Sequence, residues 1–233
     1  MSIVRRLDWD SDFFNLNIGQ LDVVGVFDVS NFEHEAKKFD LVYVFSSQEI
    51  KSLQPFCFLD KKVRYSMNKK VDLKFDFKNT QTFTMEKFKE NKDSHEELLE
   101  LVFASGYKSR FFLDKKMGRD RFERLYTRWI ENGINDKENV DVFVIKEDGH
   151  IVAFVEQVRK ETEMNISLIA TSSNVRGNGY GRALVKKVIA NFLDSDMETL
   201  SVYTQLDNKG ACDFYEKMGF RLENVNYIYH HWA

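Results

Sequence analysis

The sequence predicts a mixed α/β layer preceded by a strand-rich segment. Three observations carry this. From residue 80 onward, runs of apolar period 2 and period 3.6 alternate in the order β-α-α-β-β-β-α-β-α-β. Two apolar runs flank Asp148-Gly149, the signature of a hairpin with a tight primed turn. A glycine-rich stretch, "RGNGYG" (176–181), then separates a predicted strand from a predicted amphipathic helix.

The first third reads as strands at 20–27, 41–47, 63–67 and 71–77, each β-branched, aromatic or alternating. In the last of these Val71, Leu73, Phe75 and Phe77 share one face. The polar stretch 89–97 marks a change. Asp93 or Ser94 is placed to cap a helix running to about Phe103, with acidic residues in its first turn. A second helix over about 118–131 carries Phe122, Leu125, Tyr126, Trp129 and Ile130 at helical spacing, with Gly133 as its stop. The hairpin covers 139–160 and a third strand covers 164–171. The helix over 180–193 turns Leu184, Val185, Val188, Ile189 and Phe192 inward. A strand at 199–205, a short helix at 208–218 stopped by Gly219, and one or two final strands complete the order.

Composition excludes several classes. The 233 residues are 43% hydrophobic and 30% charged, with a formal net charge of -3. That gives ample core material and no broad positive field for nucleic acid. No apolar run of about 18 residues predicts membrane insertion. The opening "MSIVRRLDWDSDFF" turns acidic where a signal peptide would turn apolar. Cys57 and Cys212 are far apart, form no metal pattern and suit a reduced cytoplasm. "HHW" near the end reads as a strand end, since no third ligand has recognisable spacing. A homodimer is compatible with the sequence.

Three of the 11 glycines fall within five positions of the 176–181 stretch. At a strand-to-helix junction, unpaired backbone N–H groups stand at the positive end of the helix dipole and bind phosphate. Glycine lets the backbone approach an anion closely and adopt φ > 0. Arg176 and Arg182 add charge at either end, and the implied ligand is a pyrophosphate. The spacing is not that of a Rossmann fingerprint, and no Gly-Lys-Ser/Thr follows as in a P-loop. Such a turn alone is also compatible with a plain connection.

Two motifs together break that tie. "LIATSSNVRGNGYGRALV" resembles the pyrophosphate-binding motif of the GNAT family of acetyl-CoA-dependent N-acyltransferases. "LDNKGACDFYEKMGF" resembles its second signature, N-x-x-A-x-x-F-Y-x-x-x-G-F, with Asn208, Ala211, Phe214, Tyr215, Gly219 and Phe220 in place. The resemblance covers residues 80–220. It implies a GNAT fold, a mixed central sheet flanked by helices over 81–233. Residues 1–80 then form an N-terminal β-rich lobe on the acceptor side.

The resemblance also implies a site. Backbone groups of Leu168, Ile169, Ala170 and Thr171 would hold pantetheine and the acetyl carbonyl, where two core strands splay apart. Arg176, Gly177, Asn178, Gly179, Tyr180, Gly181 and Arg182 would hold the pyrophosphate of acetyl-CoA, and Asn208 the pantetheine arm. Tyr215 matches the acid that protonates the departing thiolate. A phenol near pKa 10 can serve a thiol near 8.5 if the site stabilises the phenolate. The base is less legible. Glu163 begins its strand, whereas Glu156 lies within the preceding strand and is the candidate, with water as the alternative. Cys212 matches no nucleophile of the family, so transfer is expected to be direct.

Residues 7–22, "LDWDSDFFNLNIGQLD", resemble L-x-W-D-S-x-F-F-G-x-x-I-G of acetyltransferases that act on nucleotide-linked amino sugars. Asn15 stands where that pattern has glycine. Residues 104–133 resemble the S-R-F-x-x-D and L-Y-x-x-W-I elements of the same group, which includes the enzymes of dTDP-4-amino-4,6-dideoxygalactose. The implied partner is a small-molecule amine acceptor, a dTDP-linked 4-amino-4,6-dideoxysugar of surface-glycan synthesis. Arg110 with Ser109 would meet its phosphates, or Arg110 would pair with Asp114 and brace the loop. Trp9, Phe13, Phe14 and Trp129 read as core. The rival readings are a protein N-terminal, lysine or polyamine acetyltransferase, and a non-catalytic CoA-binding module.

Overall fold

The computed structural model describes residues 3–53, 57–69 and 83–233. The strand expected at 71–77 lies outside them. After β1 (Arg5–Arg6) come α1 (Asp8–Phe14), β2 (Ile18–Val23), α2 (Val29–Ala36), β3 (Leu41–Ser46) and β4 (Phe58–Asn68). Among the described residues the first third therefore holds two α-helices beside its strands. Asp28 accepts from the Asn31 N–H and caps α2. Asn15 ends α1 in the left-handed region at φ 52. That conformation explains the departure from the glycine pattern, because asparagine is the other residue that adopts it readily.

The second part runs β5 (Met85–Lys87), α3 (His95–Gly106), α4 (Arg110–Leu113), α5 (Arg119–Asn135), β6 (Val140–Glu147), β7 (His150–Lys160), β8 (Glu163–Thr171), α6 (Tyr180–Leu193), β9 (Thr199–Gln205), α7 (Lys209–Lys217) and β10 (Arg221–Trp232). Ser94 caps α3 through its hydroxyl. Asp93 instead takes the Lys146 ammonium. The β6–β7 turn is of the primed kind, with Asp148 at φ 50 and Gly149 at φ 87.

The ten strands of the described residues form one sheet in the order β1-β2-β3-β10-β4-β9-β8-β7-β6-β5. Residues 1–80 and 81–233 share it. Strand β4 lies between β9 and β10 and pairs antiparallel with both. Helix α6 covers one face. Its five inward residues, Leu184, Val185, Val188, Ile189 and Phe192, are each 0% exposed, and each contributes about 1.5–3 kcal/mol of burial. Helices α3 and α5 cover the other face through Leu98, Val102, Leu125 and Ile130. No helix among the described residues is long and apolar enough to cross a membrane.

Helix α5 passes Gly133, expected as its stop, and continues to Asn135. The glycine serves a close approach instead. A Cβ at that position would collide with Oε1 of Glu156 on β7.

Candidate active site

A cleft opens where β8 and β9 part. The two strands pair in parallel only from Glu163↔Thr199 to Ile166↔Val202. Beyond that, Leu168–Thr171 pair only with β7, and Tyr203–Gln205 pair only with β4. A register shift in the β7–β8 ladder sets the parting: Glu156 faces Leu168 and Gln157 faces Ile166, leaving Ser167 as the extra residue. Such a bulge bends its strand and increases its twist. The splay expected at Leu168, Ile169, Ala170 and Thr171 is therefore present, with Ser167 at its apex.

On one side the cleft widens into a cavity of about 800 Å³ lined by Ile169, Thr171, Arg176, Gly177, Gly179 and Arg182, among others. Gly177 and Gly179 stand at φ 86 and φ 90. A Cβ at Gly177 would meet nothing within 4 Å, so the backbone there is open to a ligand. Gly179 is the N-cap of α6 and supplies no side-chain cap. Ala183 is the first residue of the helix whose N–H reaches the Gly179 carbonyl, at 3.0 Å. The N–H groups of Tyr180, Gly181 and Arg182 are left for an anion. Arg176 and Arg182 are exposed beside them. Tyr180 differs from its loop neighbours, because its ring packs on Phe83 at 4.4 Å within the core. The residue also lines the cavity. Asn178 is exposed on the loop and does not line the cavity.

On the other side lies a cavity of about 390 Å³ reached by Arg110, Ser109, Glu156, Lys62 and Asp60. Tyr215, Asn208 and Ile169 line both cavities, so the two meet at these side chains. Asn208 begins α7, and its amide lies 3.4 Å from Thr204 Oγ1. Tyr215 is 4% exposed and packs between Tyr65, Phe214 and Phe220. Burial, and then the neighbouring Cys212, push its phenol well above the usual range, so the hydroxyl keeps its proton.

Glu156 reaches the second cavity from β7. Burial pushes its carboxyl up to about 7, while a hydrogen bond from Ser167 opposes the rise. Its Oε2 accepts from that hydroxyl, and its Oε1 has no protein partner. A carboxyl that titrates near neutrality, bonded to a hydroxyl that lines the cavity, is suited to exchange protons with an amine through that hydroxyl. Gly133→Ala, a change that stabilises most helix interiors by about 0.5–1 kcal/mol, is expected here to displace this carboxyl. The expected result is a kcat about 10-fold lower with an unchanged or higher melting temperature. Wild-type kcat in the variant would show that Glu156 needs no such fit.

Arg110 does not pair with Asp114 directly. Its Nη1 bonds Nε2 of His230 at 2.8 Å, and Nδ1 of His230 bonds Asp114 at 2.6 Å. Trp129, expected as core, reaches the second cavity beside Phe111. The sequence reading missed Ser167, Asp60, Lys62 and the role of His230. A polar residue within a strand gives no sign of its own that a cavity lies beyond it.

Residues 107–220 match the model of the Acetyltransferase (GNAT) family. They are a GNAT acetyltransferase domain. Acetyl-CoA is the co-substrate of GNAT enzymes, and the glycine loop with its open backbone fits that group. Over 137 residues the chain is 29% identical to the spore coat polysaccharide biosynthesis protein SpsD of Bacillus subtilis. The match takes in 59% of this chain and 47% of the relative, about half of that protein's length. A functionally unknown conserved protein of Staphylococcus epidermidis superposes at a TM-score of 0.63 with 11% identity, over 93% of this chain and 85% of that one. The PaiA N-acetyltransferase of Thermoplasma acidophilum, solved with coenzyme A, superposes at 0.54 with 14% identity, over 66% of this chain and all (100%) of that one. The GNAT domain match begins after β4 and ends before β10. Yet β4 supplies Asp60 and Lys62 to the second cavity, and β10 supplies the buried His230 that holds Arg110.

Proposed function

We propose that the chain moves an acetyl group from acetyl-CoA to a primary amine, the 4-amino group of a dTDP-linked 4-amino-4,6-dideoxysugar. The carrying observation is the meeting of two cavities at Tyr215, one under the glycine loop and one holding Glu156. The larger cavity takes acetyl-CoA, with Gly177, Gly179, Gly181 and the α6 N–H groups on the pyrophosphate. Arg176 and Arg182 add charge there, and the free edge of Leu168–Thr171 with Asn208 lies along the pantetheine. Bound acetyl-CoA supplies an activated acyl thioester. Glu156 takes the proton of the acceptor ammonium by way of the Ser167 hydroxyl, which lines the same cavity and donates to its Oε2, since Oε1 is buried against Gly133. Tyr215 holds a proton at Oη for the leaving sulfur. Ser109 and Arg110 sit on the acceptor side, Arg110 being suited to a phosphate oxygen. The likeness to a polysaccharide biosynthesis protein supports a sugar acceptor. Rival acceptors such as lysine side chains or polyamines are cations, and they fit poorly beside Arg110 and Lys62. We assign the enzyme to a reducing cytoplasm, on account of its two unpaired cysteines.

The test is thiol release from acetyl-CoA over a panel of dTDP-amino sugars, lysine peptides and polyamines. The dTDP-4-amino sugars are expected to exceed the others in kcat/KM by at least about 10-fold. Equal or higher turnover of the peptides or polyamines would replace the acceptor reading.

Glu156→Gln gives a second check. In the wild type, kcat/KM should rise as pH passes through about 7, where Glu156 loses its proton. The variant should lack that limb and be roughly 10–100-fold slower at pH 8. The stability effect has the opposite sign. The folded-state pKa is raised, so the buried neutral carboxyl is fully favourable below the unfolded value of 4.5 and becomes a liability as pH rises through about 7. At pH 8 the variant should melt roughly 2–8 °C above wild type, about 1–2 kcal/mol in a chain of this size. An unchanged pH profile would acquit Glu156.

A further inference from the structure

The second cavity holds two cations, Arg110 and Lys62, neither of which forms an ion pair with a carboxylate among the described residues. The Arg110 guanidinium lies between the rings of Tyr43 and Phe111, 4.3 Å from each centroid. It forms no ion pair with a carboxylate among the described residues; its one side-chain hydrogen bond there goes to His230 Nε2 at 2.8 Å. Since guanidinium has donors only, Nε2 must accept, and the ring proton sits on Nδ1. That proton goes to Asp114 Oδ2 at 2.6 Å, which also takes the Trp232 indole N–H at 2.9 Å. His230 is 0% exposed. Burial, with Arg110 adding to it, depresses its pKa to about 4, so it is neutral in this chain of bonds.

Lys62 enters the same cavity with its ammonium 4.5 Å above the Tyr203 ring. Four carboxyls lie around them, and none makes an ion pair with either cation. Asp114 is engaged by His230, Trp232 and the Lys116 N–H. Asp60 is raised to about 6 by burial, although Arg110 and Lys62 oppose that rise. Glu156 is raised to about 7, and Asp10 is also raised, again by burial against Arg110. Two desolvated cations with no carboxylate in direct contact are costly unless a ligand completes them. A guanidinium stacked and held at one nitrogen presents its remaining donors in a fixed plane, the arrangement that meets two oxygens of one anion.

We propose that this end of the cavity is an anion subsite, in which Arg110 and Lys62 receive a phosphate or carboxylate borne by the amine acceptor. The Asp114–His230 pair is the positioning device that orients Arg110. The subsite deepens the acceptor reading and rests on it, but its test reads binding rather than acetyl transfer.

The experiment is calorimetric titration of the full chain saturated with coenzyme A, with inorganic pyrophosphate in one arm and succinate in the other. Coenzyme A occupies the glycine loop, so that loop cannot supply the signal. Saturable binding at one site per chain is expected in at least one arm, and the stronger arm names the anion. Arg110→Ala should weaken it about 10–100-fold and Lys62→Met about 10-fold. His230→Leu should weaken it as much as Arg110→Ala although Arg110 remains. His230→Gln, whose amide oxygen can still accept, should restore it to within about 3-fold of wild type. Thermal melts accompany each variant. If His230→Leu fails to fold, Arg110→Lys keeps the charge without the planar fork and should lose about 10-fold.

Absence of saturable binding in both arms would overturn the subsite, as would wild-type affinity in Arg110→Ala. Wild-type affinity in a folded His230→Leu would remove the positioning role. Failure of every amine to be acetylated, with anion binding intact, would sink the acceptor reading and leave the subsite standing.

Discussion

Tyr215→Phe is expected to lower kcat by about 10²–10⁴-fold and to leave the affinity for acetyl-CoA within about twofold of wild type. The tyrosine lines both cavities and is 4% exposed. Its proton is secured by burial and by Cys212 beside it. Securing the proton also sets a limit: a phenol this reluctant to ionise gives its proton only to a strong local base. A thiolate forming in the same dry cleft is such a base, because desolvation raises both groups together. Phenylalanine keeps the ring contacts with Tyr65, Phe214 and Phe220, so the melting temperature should hold. Steady-state kinetics with calorimetry of acetyl-CoA binding gives both readings. A variant that retains most of its turnover would show that the sulfur leaves unassisted or that another group protonates it.

Gly179→Val is expected to weaken acetyl-CoA binding by at least about 10²-fold while the chain stays folded. Gly179 sits at φ 90, a region that a β-branched residue occupies only under strain. It is also the residue from which α6 starts, with the N–H groups of the next three residues directed outward. A valine would rotate the loop out of the left-handed region and carry those donors with it. The fold should survive, since a Cβ at this position would meet only Phe83, at 3.8 Å or more. The strain is of the order of 1–2 kcal/mol, about 2–8 °C in melting temperature. Near-native acetyl-CoA affinity in the folded variant would remove the glycine loop from the pyrophosphate site.

Local pattern was enough for the elements that frame the glycine-loop cavity. The 3.6 period of Leu184, Val185, Val188, Ile189 and Phe192 fixes both the existence of α6 and the face it buries, because each side chain's direction follows from its place along one helix. Asp148-Gly149 fixes its turn, and Gly177 and Gly179 their positive φ, for the same reason: the constraint lies within a few bonds of the residue. The second motif placed Asn208 and Tyr215 at the cleft because one short helix carries them both.

Tertiary structure alone decided what strands pair with and what lies across a cavity. The alternation of "VRYSM" shows a strand with two faces, but it does not name the strands at its edges. Backbone hydrogen bonds are the same for every sequence, so the insertion of β4 between β9 and β10 is legible only in the assembled sheet. Ser167 looked like any polar strand residue until the β7–β8 register left it over. Gly133 carried a stop signal that its helix overrode, since its real constraint is a carboxyl 23 positions further along the chain. His230, Asp114 and Arg110 come from β10, the end of α4 and its first turn, and they meet through a 116-residue and a 120-residue separation. No periodicity spans such distances. Contacts of this kind follow from the packing of whole elements, which is why the second cavity had to wait for the fold.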